Sequence, residues 1–405
     1  MARLSEAQNT RNVLLLTGAG HFGNHFFELM FPTLAVTIAS QTGLPLEQVL
    51  GWSFLGYLTF GLGALPAGLL ADRLGARLPL IVALFGLGVA ALAASEAPNG
   101  RVLSFCLAVM GACASVYHPA ALSLISHTFD PRGRALGVNG LFGGAAIVLA
   151  PLVTATLCAH LGWQQTYRAV GYAMCAVACA CAFLRVDERR AAALAAPPAA
   201  PLQREALLPF AVLLVAATLA ALVYRGTTLV QPGYFAARTP AIGFGAATSL
   251  VYVFGIAGQY VGGLLADRRD LRRLYLAFHA VSLPALLLTI ALSGLPLIGG
   301  AAVFVFFSFG MQPIEHSLFA RYTPPRWRAT AYGAKLALTV GVGAFAVWLV
   351  GWAGAAGGLS YALLCLAGVL ALVITAAAVL SSLRRGASRV VVPSAPPDLL
   401  PGRRP

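Results

Sequence analysis

The sequence predicts an all-α membrane protein: twelve transmembrane helices in two pseudo-symmetric six-helix bundles, both termini cytoplasmic. Three observations carry that fold class. Of 405 residues, 59% are hydrophobic and 10% are charged, whereas soluble domains carry about 25% charge. Apolar stretches of about twenty residues recur along the chain, long enough to cross hydrocarbon as helices that satisfy their own backbone. The arginines gather in alternate loops, and the second half of the chain repeats features of the first.

The expected spans run at about 13–39, 46–71, 77–95, 101–127, 134–160, 163–185, 207–236, 243–266, 273–293, 296–321, 329–352 and 356–383. Span 1 follows a polar start with Arg3 and Arg11. It is too long for a signal-peptide core and continues past any cleavage site. Span 2 runs into Gly68-Leu-Leu-Ala-Asp72-Arg73-Leu-Gly75-Ala-Arg77, the connection to span 3. Span 4 contains Tyr117-His118-Pro119. Pro119 frees the carbonyl of Ser115 and predicts a kink there. Span 5 passes through Gly143-Gly144 to Pro151. Span 6 closes a first bundle, residues 1–185. The stretch VDERRAAALAAPPAAPLQRE is charged, then rich in Ala and Pro, and reads as a cytoplasmic linker over 186–206. Spans 7 to 12 form the second bundle, 207–383. The Arg/Pro-rich segment 384–405 is expected to be a disordered cytoplasmic tail.

The net charge of +14 does not mark a nucleic-acid binder, because no long basic tract exists. The arginines sit in the short loops after even-numbered spans: Arg73, Arg77, Arg132, Arg134, Arg185, Arg268, Arg272 and Arg321 are among them. Loops after odd-numbered spans hold little beyond Arg101 and Arg238. That asymmetry places both termini inside. Arginine outnumbers lysine 26 to 1, Lys335 being the one lysine; with abundant Ala and Gly, this fits a bacterial gene of high GC content. The seven cysteines lie in apolar runs without metal-type CxxC spacing, so they imply neither a disulfide framework nor a metal site.

The two halves resemble each other. GLLADR occurs at 68–73 and at 263–268. YHPAALSLISHTFDPRGRA at 117–135 aligns with MQPIEHSLFARYTPPRWRA at 311–329, setting His118-Pro119 on Gln312-Pro313. A two-residue slip sets Asn139 on Lys335. Parallel repeats of six helices are a known transporter plan.

The motif from Gly68 to Arg77 resembles the loop 2–3 signature of the major facilitator superfamily. The second copy keeps Asp267 and Arg268 but has Asp270 in place of the second glycine. The resemblance implies that Gly68, Asp72, Arg73, Gly75, Arg77, Asp267 and Arg268 form a gating loop, with Asp72 latching the cytoplasmic side. Within the superfamily the chain looks most like the fosmidomycin-resistance type. His21-Phe-Gly-Asn24-His25 and Pro32 in span 1, Tyr117-His118-Pro119 in span 4 and the glycines leading to Pro151 carry that likeness. The chain departs from the pattern at position 25, where His stands in place of Asp, so coupling would run through Glu28 or by another route. The likeness implies a secondary exporter of small polar molecules, driven by protons.

Polar residues mark candidate pathways. His21, Asn24, His25 and Glu28 share an arc of about 100° on span 1. A charge at the bilayer centre costs at least about 2.5–3.5 kcal/mol, so this face must meet protein or water. It reads as a cavity wall, against the plainer reading of hydrogen-bonded helix glue. Ser308, Gln312, Glu315 and His316 form a similar arc on span 10. An antiparallel hairpin brings Glu315 and Lys335 to one depth, where they should pair as a fixed strut or a gate. Span 7 offers Tyr224, Arg225, Thr228 and Gln231. Arg225 lies at the depth of Glu28, so it should pair with Glu28 or meet an anionic substrate, unless it snorkels to the outer headgroups. His118 lies near the depth of His21 and suits proton relay. A metal at His21, His25 and His118 lacks an assured ligand set, so none is expected.

The resulting expectation is proton-coupled antiport of a small polar or anionic compound or drug. It requires no cofactor and no nucleic acid, and the protein works as a monomer in the bacterial inner membrane. The alternatives are proton-coupled uptake of an organic anion or metal chelate, and a non-transporting sensor on the same fold. No Walker loop, nucleophile elbow or HExxH motif supports an enzyme.

Overall fold

A computed structural model describes the backbone of residues 4–129, 133–188, 204–323 and 328–383, and their side chains apart from positions 72, 133, 204–206 and 328–334. Linker residues 189–203, the tail 384–405 and the Asp72 carboxylate lie outside the described residues. Among those described there are fourteen helices and no strand: α1 (Glu6–Thr42), α2 (Leu46–Gly51), α3 (Phe54–Leu74), α4 (Arg77–Ser95), α5 (Gly100–Ala114), α6 (Tyr117–Thr128), α7 (Gly133–Leu161), α8 (Trp163–Ala182), α9 (Arg204–Arg238), α10 (Phe244–Ala266), α11 (Leu271–Ala291), α12 (Gly294–Tyr322), α13 (Arg328–Gly343) and α14 (Phe345–Ser382).

Local chemistry explains where these helices differ from the expected spans. α1 starts seven residues early because Ser5 and Gln8 form a reciprocal capping box. Span 4 breaks into α5 and α6 at Ser115-Val116, where Pro119 withholds its N–H. α9 begins at Arg204, so the last three residues assigned to the linker are helical. α14 runs through the expected connection before span 12 and bends at Gly357 and Gly358, whose dihedrals are not helical. Nine helical stretches among the described residues are long and apolar enough to cross a membrane. α1 is not among them, because His21, Asn24, His25 and Glu28 lower its hydropathy.

The packing pattern recurs along the chain. In the first half α1 lies on α7, α3 on α5 and α4 on α8; in the second, α9 lies on α13 and α14, α10 on α12 and α11 on α14. The halves meet where α3 packs on α13, α7 on α10 and α1 on α9. Small residues permit these approaches. Gly61 meets the backbone of Gly341, and Gly144 lies against Ile256. At the end remote from the chain termini, Leu46 packs on Gly233 and Glu47 on Gly354.

At the terminal end, residues after α8 strap the first half together. Asn12 donates to the Arg185 carbonyl at 2.8 Å, and Asn9 accepts from Asp187 N at 2.8 Å. Glu188 Oε1 accepts from the backbone N–H groups of Ala76 and Arg77, both at 2.8 Å, and so caps α4. Arg77 answers by donating to the carbonyls of Leu184 and Ala182, at 2.8 and 2.7 Å. The second half repeats the device at Arg272, which donates to the Leu383 carbonyl at 2.7 Å. The two caps differ in origin. Gly75 has φ +79°, a backbone conformation that favours glycine, and a Cβ there would meet the Glu188 carboxylate. Its repeat partner Asp270 instead caps α11 with its own side chain, accepting from Arg273 N at 3.1 Å.

Gly75→Ala is therefore expected to destabilise the first half by about 1–3 kcal/mol, and Glu188→Ala by about 1 kcal/mol. Thermal unfolding in detergent measures both. A Gly75→Ala protein that unfolds at the wild-type temperature would refute the need for glycine at this backbone angle.

Candidate functional site

The polar stripe of α1 does not face lipid. Glu28 is the hub: its Oε2 lies 2.8 Å from His25 Nδ1, one turn back on the same helix. Its Oε1 lies 2.7 Å from Arg225 Nη1 of α9. Arg225 is only 4% exposed, so it does not snorkel. That contact is a charge pair without an aligned hydrogen bond at Nη1. The guanidinium also lies over the Tyr57 ring of α3, 3.9 Å from its centroid, and the Tyr57 hydroxyl donates to the Glu28 carbonyl at 3.1 Å. Three helices from two halves of the chain thus meet at one residue, Glu28.

Next to this hub lies a histidine cluster. His21 Nδ1 donates to the Asn139 carbonyl of α7 at 2.8 Å, which leaves Nε2 as the acceptor nitrogen. The Asn139 side chain accepts from the Tyr117 hydroxyl at 2.8 Å, and the Tyr117 ring stacks on His21. Gly143 makes this possible, since a Cβ there would lie 2.5 Å from His21 Nε2. His118 stands edge-on to both His21 and His25, with centroids 5.9 Å apart in each case. No group of three or more metal-ligating side chains with geometry for an ion occurs among the described residues.

The second half holds a separate ionic centre. Lys335 Nζ lies 2.6 Å from Glu315 Oε1, as the hairpin register predicts. The Tyr275 hydroxyl donates to Glu315 Oε2 at 3.0 Å, and Lys335 also lies over the Phe319 ring. Asn139 and Lys335, equivalent by the repeat, thus each anchor the polar centre of their own half. Gln312, the repeat partner of His118, accepts from Gln259 Nε2 at 3.0 Å. His316 is exposed in the middle of α12, although its neighbour Glu315 is buried. It stands within electrostatic reach of Lys335 and, across the halves, of His118.

Not every candidate joins these clusters. The Thr228 hydroxyl is spent on the carbonyls of Tyr224 and Arg225 in its own helix. Tyr224 packs its ring against Phe309 of α12. Sequence reasoning missed Tyr57, Tyr275 and Glu188. Tyr57 and Tyr275 stand in apolar spans with no periodic stripe around them; Glu188 had a signal, an acid just past the end of a span.

A family model described as the Major Facilitator Superfamily matches residues 17–334. The chain belongs to that superfamily. Among curated relatives, the methylenomycin A resistance protein of Streptomyces coelicolor is 31% identical over 185 residues, 41% of this chain and 37% of that protein. The puromycin resistance protein pur8 of Streptomyces alboniger is 35% identical over 117 residues, 28% of this chain and 23% of that protein. The matched segments thus cover less than two fifths of either relative. A bacterial homologue of the human lysosomal transporter Spinster, solved inward-facing and unoccupied, superposes with a TM-score of 0.78 at 15% identity, over 92% of this chain and 97% of that one. At that identity the likeness is one of fold.

In the superfamily's loop 2–3 signature, Arg77 is committed to the carbonyls at the end of α8, inside its own half. Gly68 lies against Pro119 of α6. Arg73, Asp267 and Arg268 are exposed. The described bonds of this loop tie helices within a half and do not cross to the other.

The buried pair in the second half generates a stability prediction. Removing one partner of a buried pair strands a charge and costs about 3–5 kcal/mol. Lys335→Met should lower the unfolding temperature sharply, and adding Glu315→Gln should recover much of the loss. Equal instability of the single and double variants would mean that Lys335 acts through packing alone.

Proposed function

We propose that this transporter has twelve spans with cytoplasmic termini and couples export of a small polar compound to proton entry, with Glu28 as the coupling group. The observation that carries the reading is the Glu28–Arg225 ion pair. Its two members sit on α1 and α9, in different halves of the chain, so any rocking of one half on the other must strain or break it. The Glu315–Lys335 pair lies within one half, would move as a unit, and suits a strut. Arginines in the inner loops support the topology, and the resistance proteins named above support export.

Linkage fixes how coupling would work. A substrate bearing a donor or positive charge competes with the proton for the Glu28 carboxylate. Proton binding then expels the substrate, and the two exchange in opposite directions. A substrate bearing an anionic group would take Arg225 instead. Glu28, deprived of its partner, would need a proton, so the anion and the proton would travel together. The same pair thus supports export by antiport for one substrate class and uptake by symport for the other. His25, His21 and His118, in a ring cluster beside Glu28, are one relay open to that proton.

Proton flux in proteoliposomes under a pH gradient, with a panel of cationic, neutral and anionic small compounds, tests this reading. Wild type should show flux coupled to one class, and its sign gives the mode. Glu28→Gln should abolish coupling. Coupled flux that survives Glu28→Gln would remove Glu28 from the mechanism.

A further inference from the structure

Asn24, on the polar face of α1, belongs to neither ionic centre. It is 1% exposed, and neither its amide nitrogen nor its oxygen has a hydrogen-bond partner. A buried polar atom left unpaired costs about 1–3 kcal/mol, so two on one side chain call for a ligand. Asn24 also lines two cavities. One, of about 50 Å³, includes Glu28, Ser53, Tyr57, Phe31 and Met110 on its wall. The other, of about 10 Å³, includes Gly20, Leu80 and Tyr117. Asn24, Leu87 and Ala114 belong to both. All lining residues come from the first 117 residues of the chain, so the first half supplies the walls of both cavities.

We infer that Asn24 is the centre of a water-binding site inside the first half, and that this site carries protons between Glu28 and the cytoplasmic end without crossing the substrate path. The role assigned to the proton rests on the reading of Glu28 proposed above; the water site does not. A water needs about 10–15 Å³ and two to four polar partners. The larger cavity holds about three waters and the smaller one at most. Asn24 supplies a donor and an acceptor between them. Glu28 and Tyr57 line the first cavity, and Tyr117, bonded to Asn139, lines the second. Leu80 is in the first turn of α4, next to Arg77 at the terminal end, so the second cavity leads in that direction. The charged and titratable groups around Glu28 are His21 and His25 on its own helix, Tyr57 from α3, His118 from α6, Tyr224 and Arg225 from α9, and Tyr252 from α10. Those on α6, α9 and α10 do not line either cavity. Of the residues shared by the two cavities, Asn24 is the polar one, so along the cavities it is the step between Glu28 and Tyr117.

Two measurements test this. X-ray radiolytic labelling of the intact protein oxidises side chains that touch bound water. Met110 is the only one of the five methionines on the wall of either cavity. It should oxidise several-fold faster than Met30 and Met174, which are similarly buried. Equal rates would overturn the water site. The second measurement is proton flux in proteoliposomes. Asn24→Leu, of similar size but apolar, should cut flux about tenfold, the effect of one lost hydrogen bond, and Asn24→Ser should restore most of it. Wild-type flux in Asn24→Leu, with flux abolished in Glu28→Gln, would overturn the route and leave the reading of Glu28 standing. Flux unchanged in Glu28→Gln would overturn both the coupling reading and the route, while Met110 still decides the water site.

Discussion

One constraint organises this molecule: a carboxylate inside an apolar bundle cannot remain there alone. Desolvation makes an unpaired buried charge cost several kcal/mol, and the interior offers no water in bulk to offset it. Glu28 meets that condition by drawing Arg225 from the other half of the chain and His25 from its own helix. The contact of α1 with α9, the placing of Tyr57 beneath the guanidinium and the histidine cluster all surround this one group. Lipid holds the halves in the membrane, but a charge pair ties them together at this depth.

The two ionic centres show how a repeated chain divides its labour. Each half places a polar anchor on its fifth span, Asn139 in one and Lys335 in the other. Asn139 is neutral and arranges His21 and Tyr117. Lys335 is charged and closes on Glu315 within the same half. The first half's Glu28 is neutralised across the halves by Arg225, whereas the second half's Glu315 is neutralised within its own half. The ends near the chain termini differ in a similar way. Both use an arginine on the carbonyls of the last span of their half, yet one helix cap comes from Glu188 and the other from Asp270.

Much of the fold was legible in the sequence, because membrane insertion leaves few choices. A run of twenty apolar residues has to be a helix, because only a helix satisfies its own backbone there. The pairing of Glu315 with Lys335 could be read from distance to a shared turn. The depth match of Glu28 and Arg225 could be read from the helical rise. What was not legible came from side chains with no period of their own. Tyr57 and Tyr275 look like ordinary aromatic residues until a neighbouring helix brings a charge to them. The break before Tyr117 followed from Pro119, whereas the early start of α1 depended on a cap between Ser5 and Gln8 that hydropathy does not register.

The sequence by itself determined the helical class, the repeat, the arginine asymmetry and the four polar positions on one face of α1, because each depends only on neighbours along the chain. Tertiary structure decided whom that face meets. Two charges nearly two hundred residues apart become one pair only when two halves pack, and the choice between ion pair and snorkelling cation at Arg225 is a property of that packing. The commitment of Arg77 to α8 rather than to the opposite half was decided in the same way. Its hydrogen bonds go to carbonyls left open at a helix end, and only the folded bundle brings that end within reach.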